Sequence, residues 1–230
     1  MEILNFKLIK IKEEIAGVKT FRFLPDKKFD FKPGQFINVY LKDGEKLEWR
    51  AYSISSSPTE KYVEITVKIL HSGFSAKLAN LQVESEVEVR GPFGGILNFT
   101  DSEDVVVIAG GIGITPFMSG LRYINEKILK NKVSLFYCCK TIDQILFSKE
   151  LHSIAEKNSN INLVCTLTRE VKNWHGEKGR INSKMIKKHL QNYENKAYFI
   201  CGPQEMVDQL IVMLKNLGVS EKNIRKEAWG

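Results

Sequence analysis

The chain has 230 residues, 43% of them hydrophobic, and a formal net charge of +7, which leaves room for one large domain or two of about 100 residues each. No apolar stretch approaches the ~20 residues of a membrane-crossing helix, and Met1-Glu2-Ile3-Leu4 does not open a secretory signal, so a cytoplasmic protein without membrane insertion is expected. Cys138, Cys139, Cys165 and Cys201, like His71, His152, His175 and His189, lack metal-ligand spacing, and no metal is expected.

The first hundred residues read as strands. In 62–69, Val63, Ile65, Val67 and Ile69 alternate with polar residues, the pattern of a strand with one buried face. Segments 36–41 and 87–89 continue it, and Pro33-Gly34, Asp43-Gly44 and Ser57-Pro58 supply turns. Short strands at this spacing suggest a small antiparallel barrel, interrupted by one short helix near Ser75–Leu81.

Beyond a boundary near Thr100–Glu103 the period changes. Phe117, Leu121, Ile124 and Ile128 recur at helical spacing, as do Val207, Leu210, Ile211, Leu214 and Leu217, with Gly218 closing that helix. Thr141-Ile142-Asp143-Gln144 has the form of a capping box that opens another helix. Apolar runs at 104–109, 133–139, 161–167 and 197–201, with a last strand at 223–228, alternate with these helices. That alternation predicts a doubly wound parallel sheet of five strands in the order 3-2-1-4-5. The expected domains are therefore 1–100, a β-barrel, and 103–230, an α/β domain.

Charge follows the same division. Residues 1–102 carry 15 Lys+Arg against 14 Asp+Glu, and residues 103–230 carry 19 against 13. The excess in the second half suits a phosphate-bearing ligand or an acidic partner. No basic stripe accompanies a nucleic-acid-binding motif, so no nucleic acid is expected.

In a sheet of that order the loops after the first and fourth strands meet at the point where strand order reverses. Here they read Gly110-Gly111-Ile112-Gly113-Ile114-Thr115-Pro116 and Cys201-Gly202-Pro203-Gln204-Glu205. Glycine admits a ligand close to the backbone, and a helix N-terminus presents free N–H groups to phosphate. Upstream, Arg50 and Tyr52 lie two apart on one strand, on one face. Arginine offers a permanent charge for a diphosphate and tyrosine a flat ring for stacking.

Arg50-x-Tyr52-Ser53, Gly73-Phe74-Ser75, Gly91-Pro92-Phe93-Gly94, Gly110–Pro116 and Cys201-Gly202-Pro203, in this order, together with Lys32-Pro33-Gly34-Gln35-Phe36, resemble the ferredoxin–NADP reductase superfamily over nearly the whole chain. The resemblance implies a six-stranded FAD-binding barrel followed by a pyridine-nucleotide domain. It implies hydride transfer from NAD(P)H to FAD and onward electron transfer. By motif, Arg50 would hold the FAD diphosphate, Tyr52 would stack on the isoalloxazine and Ser53 would lie near flavin N5. Because an ideal strand points Ser53 away from Tyr52, a twist or bulge is expected between them. Gly73, Phe74 and Ser75 would form the diphosphate turn. Gly110, Gly111, Gly113, Thr115 and Pro116 would seat the nicotinamide nucleotide, and Cys201, Gly202 and Pro203 would lie beside the nicotinamide.

Lys140, Arg169 and Arg180, with Glu170 between the arginines, fall where such a domain reads the adenosine ribose. The cations predict a preference for NADPH. Trp229, next to the terminal Gly230, would cover the flavin face, and Glu227 would reach the nicotinamide or flavin edge near Ser53 and Cys201. Since the cysteines lack iron–sulfur spacing, the acceptor is expected to be a separate molecule: ferredoxin, flavodoxin, an oxygenase partner or free flavin. The alternative is an NAD(P)H:flavin reductase, which releases its flavin. A regulatory subunit on the same fold is disfavoured by the presence of both Arg50 and Tyr52.

Overall fold

The structure, a computed structural model, describes residues 3–44, 46–169 and 172–229, without the side chains of Asp43 and Trp229. The chain divides into two compact units: Met1–Asn98 with Thr115–Tyr123, and Phe99–Ile114 with Ile124–Gly230.

Among its described residues the first unit holds strands β1 (Leu4–Ile15), β2 (Val18–Pro25), β3 (Gln35–Asp43), β4 (Lys46–Ser53) and β5 (Val63–Lys68), helix α1 (Phe74–Ala79) and strand β6 (Glu86–Gly94). They form one antiparallel sheet in the order β4-β3-β6-β1-β2-β5. A single bridge between Ile54 and Ile65 brings its two edges together, as a barrel requires. Inward-facing residues alternate along β3 and the first halves of β1 and β6, and Phe6, Leu8, Phe21, Phe23, Ile37, Val39, Val63 and Ile65 are among the core residues. Strand β5 departs from simple alternation. Its polar face, Glu64 and Thr66, is buried as well, because polar partners rather than water cover it.

The second sheet comprises β7 (Asp104–Gly110), β8 (Lys132–Cys139), β9 (Ile161–Leu167), β10 (Glu177–Lys178), β11 (Ala197–Pro203) and β12 (Ile224–Trp229). It is parallel, in the order β10-β9-β8-β7-β11-β12. Helices α2 (Thr115–Lys127), α3 (Ser148–Lys157), α4 (Ser183–His189) and α5 (Gln204–Asn216) alternate with the strands. The 3-2-1-4-5 arrangement is present, but the sheet has six strands rather than five. The extra strand, β10, is two polar residues long and carries no apolar run. It is held by Thr166 Oγ1, which donates to the Gly179 carbonyl at 2.6 Å, and by Glu177, whose carboxylate meets Lys188 and His189 at 2.6 and 2.7 Å.

Two helix termini also differ from expectation. Thr141–Gln144 makes no side-chain cap and opens only a single 3-10 turn, Ile142–Gln144, and α3 begins later, at Ser148. Helix α2 ends at Lys127, so Ile128 lies in a left-handed turn and is 84% exposed. Helix α5 closes as predicted. The amides of Gly218 and Val219 bond back to the carbonyls of Lys215 and Leu214, satisfying the last turn.

Candidate functional site

In the first unit, β4 and α1 assemble one cluster. Arg50 and Tyr52 pair across the ladder with Val39 and Ile37. The Arg50 guanidinium is exposed, donates to the Trp49 carbonyl at 2.7 Å and stands 5.8 Å from the centre of the Phe74 ring. Tyr52 is half-buried, with its ring 6.2 Å from that of Phe74. Burial pushes the Tyr52 hydroxyl up to about 12, against the pull of Arg50, so it stays protonated at neutral pH. Phe74 itself belongs to the barrel core.

Lys77 on α1 meets Glu48 on β4 at 2.9 Å, tying the helix to the strand. Gly73, before α1, has a φ of 80°, and a Cβ there would meet nothing within 4 Å. Ser75 spends its hydroxyl on the Leu70 amide, at 3.0 Å, fixing the turn. A permanent cation with an open approach, a ring held by a second ring and an unobstructed backbone turn fit a flavin nucleotide. Ser53 is buried at the end of β4, and the β3–β4 register runs unbroken through Tyr52 and Ser53. Of the twist or bulge expected between them, the bulge is absent; the irregularity falls instead in the β3–β6 pairing, between Phe36 and Asn38.

The corner after Ser53 holds a cluster that sequence reasoning missed. The buried Glu64 carboxylate receives Arg22 Nε at 2.8 Å on one oxygen and Arg122 Nη1 at 2.9 Å on the other. Arg122, on the part of α2 that groups with this unit, also donates to the Ser55 carbonyl at 2.8 Å. Ser55, Ser56 and Ser57 are buried and act as fasteners; the Ser56 hydroxyl, for instance, accepts from the Glu64 amide at 3.0 Å. In the sequence Glu64 sat on the polar face of an alternating strand, and no spacing linked it to Arg122.

In the second unit the glycine-rich loop lies against the end of β11. A Cβ on Gly113 would fall 2.4 Å from the Cys201 carbonyl oxygen, and one on Gly110 would fall 2.5 Å from Met206 Sδ. Gly202 faces Met206 and Gly110 in the same manner. These three residues are small so that the two loops can touch. Gly111 differs: its φ is 54° and its Cβ position is open. Its carbonyl accepts from the Tyr137 hydroxyl at 3.0 Å, and that hydroxyl accepts from the Leu146 amide at 3.2 Å. Tyr137 was not foreseen; one aromatic residue in an apolar strand gives no functional signal.

Thr115, buried, and Pro116 begin α2. Cys201 is buried and stands in register with Ala109 on one side and Glu227 on the other. Burial raises the Glu227 carboxyl above its ordinary value. Pro203 pairs with Trp229 along the backbone, while the expected position of the Trp229 ring lies outside the described residues, as does Glu170. Lys140 and Arg169 are neighbours, the Arg169 amide donating to the Lys140 carbonyl at 3.0 Å. Arg180 turns to α5, where it reaches Glu205 and Gln209. Among the described residues no group of three or more His, Cys, Asp or Glu could hold a metal ion, and no helix is long and apolar enough to cross a membrane.

Two family models match the chain in succession, the oxidoreductase FAD-binding domain over residues 5–97 and the oxidoreductase NAD-binding domain over residues 107–210. The chain belongs to the ferredoxin–NADP reductase superfamily. It is 32% identical over 237 residues to the glycine betaine monooxygenase reductase subunit of Chromohalobacter salexigens, covering 98% of this chain and 64% of that protein. It is 26% identical to a flavohemoprotein of Oceanobacillus iheyensis, covering 98% and 59%. The chain thus spans about 60% of the length of these relatives.

Among solved structures, the FAD/NAD-binding domain of nitric oxide dioxygenase from Vibrio cholerae superposes with a TM-score of 0.89 at 22% identity, over 99% of this chain and 98% of that one. A ferredoxin–NADP+ reductase from Neisseria gonorrhoeae, with bound FAD and NADP, gives 0.85 at 23% identity, over 99% of both. These two likenesses establish the fold.

Proposed function

We propose that the chain is an FAD-dependent oxidoreductase that takes hydride from NAD(P)H and passes electrons to a separate acceptor. The observation that carries this reading is the Arg50–Tyr52–Phe74 cluster on a barrel, in the same chain as a parallel sheet whose first loop is packed by Gly113 and open at Gly111. A bound flavin supplies chemistry that side chains lack, accepting two electrons at once and releasing them singly.

The residues do the rest. Arg50 neutralises diphosphate charge, and its guanidinium is always protonated. Tyr52 presents a ring whose neutral hydroxyl brings no charge to the flavin side. Ser53 is fixed by the strand, and Gly73 leaves its turn open to phosphate. In the second unit, Gly111 presents backbone free of side chain, held by Tyr137. Thr115 and Pro116, which group with the first unit, start the helix whose N-terminus favours phosphate. Cys201 and Glu227 share a row at the carboxyl end of the sheet, where ligands of such folds bind. Glu227, its carboxyl raised by burial, can hold a proton there.

Ferredoxin, flavodoxin, an oxygenase partner and free flavin were all expected as candidate acceptors. The relatives that are reductase subunits of glycine betaine monooxygenase favour the oxygenase partner, and we propose that class first. Anaerobic titration with NADH and NADPH, followed through the flavin spectrum, and then steady-state reduction of ferredoxin, flavodoxin, free flavin and an oxygenase component, test the proposal. Retention of yellow colour through gel filtration separates a bound cofactor from a flavin substrate. A protein that binds no flavin and bleaches none would refute the reading.

A further inference from the structure

The two arginines expected to receive a 2′-phosphate do not stand alike. Arg169 is exposed beside Lys140. Arg180 Nη1 instead reaches Glu205 Oε1 at 3.3 Å and Gln209 Oε1 at 3.2 Å. Gln209 donates to the same Glu205 oxygen at 3.0 Å, one helical turn on, so Arg180 and Gln209 converge on one carboxylate. Glu205 lies in the first turn of α5, where the helix dipole favours a negative charge.

The place is informative. Ile181, the residue after Arg180, bonds the Cys138 thiol through its backbone; burial pushes that thiol up, while this bond and the Arg180 charge pull it down. Cys138 pairs in register with Gly110, at the carboxyl end of β8. That is the second strand of the doubly wound sheet, whose end faces the adenosine ribose in this architecture. An acidic side chain there accepts from the ribose 2′-hydroxyl, whereas a basic one receives a 2′-phosphate. This chain brings one of each to the same spot.

We infer that Glu205 is a specificity-determining residue that turns the dinucleotide choice toward NADH by occupying Arg180. The inference rests on the proposed NAD(P)H-dependent reading. To use Arg180, a 2′-phosphate must come within contact of the Glu205 carboxylate. Two like unit charges about 4 Å apart in water weaken binding roughly fivefold, and a dianion roughly thirtyfold. The pair is exposed, with side-chain accessibilities of 69% and 72%, so salt screens it and the lower figure applies at physiological ionic strength. The cations alone predicted NADPH; the carboxylate that opposes them comes 25 residues after Arg180 and adjoins it only through folding.

The test uses the flavin-loaded full chain and E205Q. Calorimetric titration with 5′-AMP and with 2′-phospho-5′-AMP reads the adenosine site without turnover, and kcat/KM for NADH and NADPH reads it during catalysis. Wild type should favour NADH. E205Q should tighten the 2′-phosphorylated probe at least about fivefold relative to 5′-AMP, lower the KM for NADPH with little change in kcat, and lose the gain at high salt. Adding Arg180→Ala to E205Q should remove the gain. If both probes bind and their ratio does not move in E205Q, the role of Glu205 is overturned while the NAD(P)H reading stands. If neither probe binds either protein, both are overturned.

Discussion

Replacing Glu64 by glutamine tests whether the corner after Ser53 depends on charge or only on shape. Glutamine keeps the outline but offers one acceptor oxygen where two guanidiniums converge at 2.8 and 2.9 Å. Its amide NH2 must then face an arginine, donor against donor. Breaking a fully buried ion pair costs about 3–5 kcal/mol. The Arg122 and Arg22 side chains retain 14% and 30% of their exposure, so water recovers part of the loss and about 2–3 kcal/mol remains. For a chain of this length that lowers Tm by roughly 5–10 °C. Urea unfolding monitored by far-UV circular dichroism, with calorimetry of the flavin-loaded protein, measures both quantities. Flavin affinity should fall less than stability does, because Glu64 holds the Ser55 corner through Arg122 and is not part of the Arg50–Tyr52–Phe74 cluster. A loss below about 0.5 kcal/mol would place Glu64 with ordinary surface pairs and refute the reasoning.

Arg50→Ala should weaken flavin binding tenfold or more, about the value of one charge-assisted contact, with little change in the unfolding midpoint of the flavin-free protein; equilibrium dialysis with FAD checks it. Gly113→Ala drives a methyl into the Cys201 carbonyl and should cost about 1–3 kcal/mol while raising the KM for the nicotinamide nucleotide. Gly111→Ala, where the space is open but φ is positive, should cost about 1–2 kcal/mol through backbone strain alone. Glu227 has a carboxyl raised by burial, so the folded state holds its proton more tightly than the unfolded state does. Its contribution to stability is full below the ordinary carboxylate value and is lost as pH rises through the raised one. Glu227→Gln should flatten the fall of the urea midpoint that begins as pH rises above the ordinary carboxylate value, and an unchanged slope would remove Glu227 from the account.

Much of the fold was legible because its signals are local. Val63, Ile65 and Val67 announce a strand within six residues, and the glycine–proline loops mark the ends of β7 and β11. The Arg50–Tyr52 pair was readable for the same reason, since two residues apart on a strand means one face. What escaped was non-local or made of polar residues. Strand β10 exists because Thr166 holds Gly179 and Glu177 holds Lys188 and His189, and none of these contacts has a periodicity. Glu64 read as a solvent-facing residue, because alternation reports one buried face and cannot show that Arg22, Arg122 and a serine corner bury the other. Glu205 lies 25 residues from Arg180 in sequence, and only folding brings the two together.

The glycine-rich loop shows why the missed residues matter for the proposed chemistry. Composition alone suggests a flexible loop, since every glycine adds backbone freedom. The contacts argue for rigidity. Gly113 lacks a side chain because the Cys201 backbone stands where its Cβ would be, and Gly110 and Gly202 lie close against the Met206 side chain, so the loop is packed against atoms rather than open to space. The one residue left open, Gly111, has its carbonyl fixed by the Tyr137 hydroxyl, itself anchored in β8 and braced by the Leu146 amide. A loop held in this way has little ordering entropy left to lose when a dinucleotide arrives, and pre-organisation of that kind strengthens binding without adding contacts. Tyr137→Phe is the sharpest check on this account. It keeps the ring and removes only the hydroxyl that joins Gly111 to Leu146, leaving the Gly111 carbonyl and the Leu146 amide without that partner. The nicotinamide-nucleotide KM should rise several-fold, on the scale of one hydrogen bond of about 1 kcal/mol, while kcat at saturation and FAD affinity stay near the parent values. Equal losses in KM and FAD affinity would mean a general loosening of the protein and would contradict a seat held rigid by Tyr137.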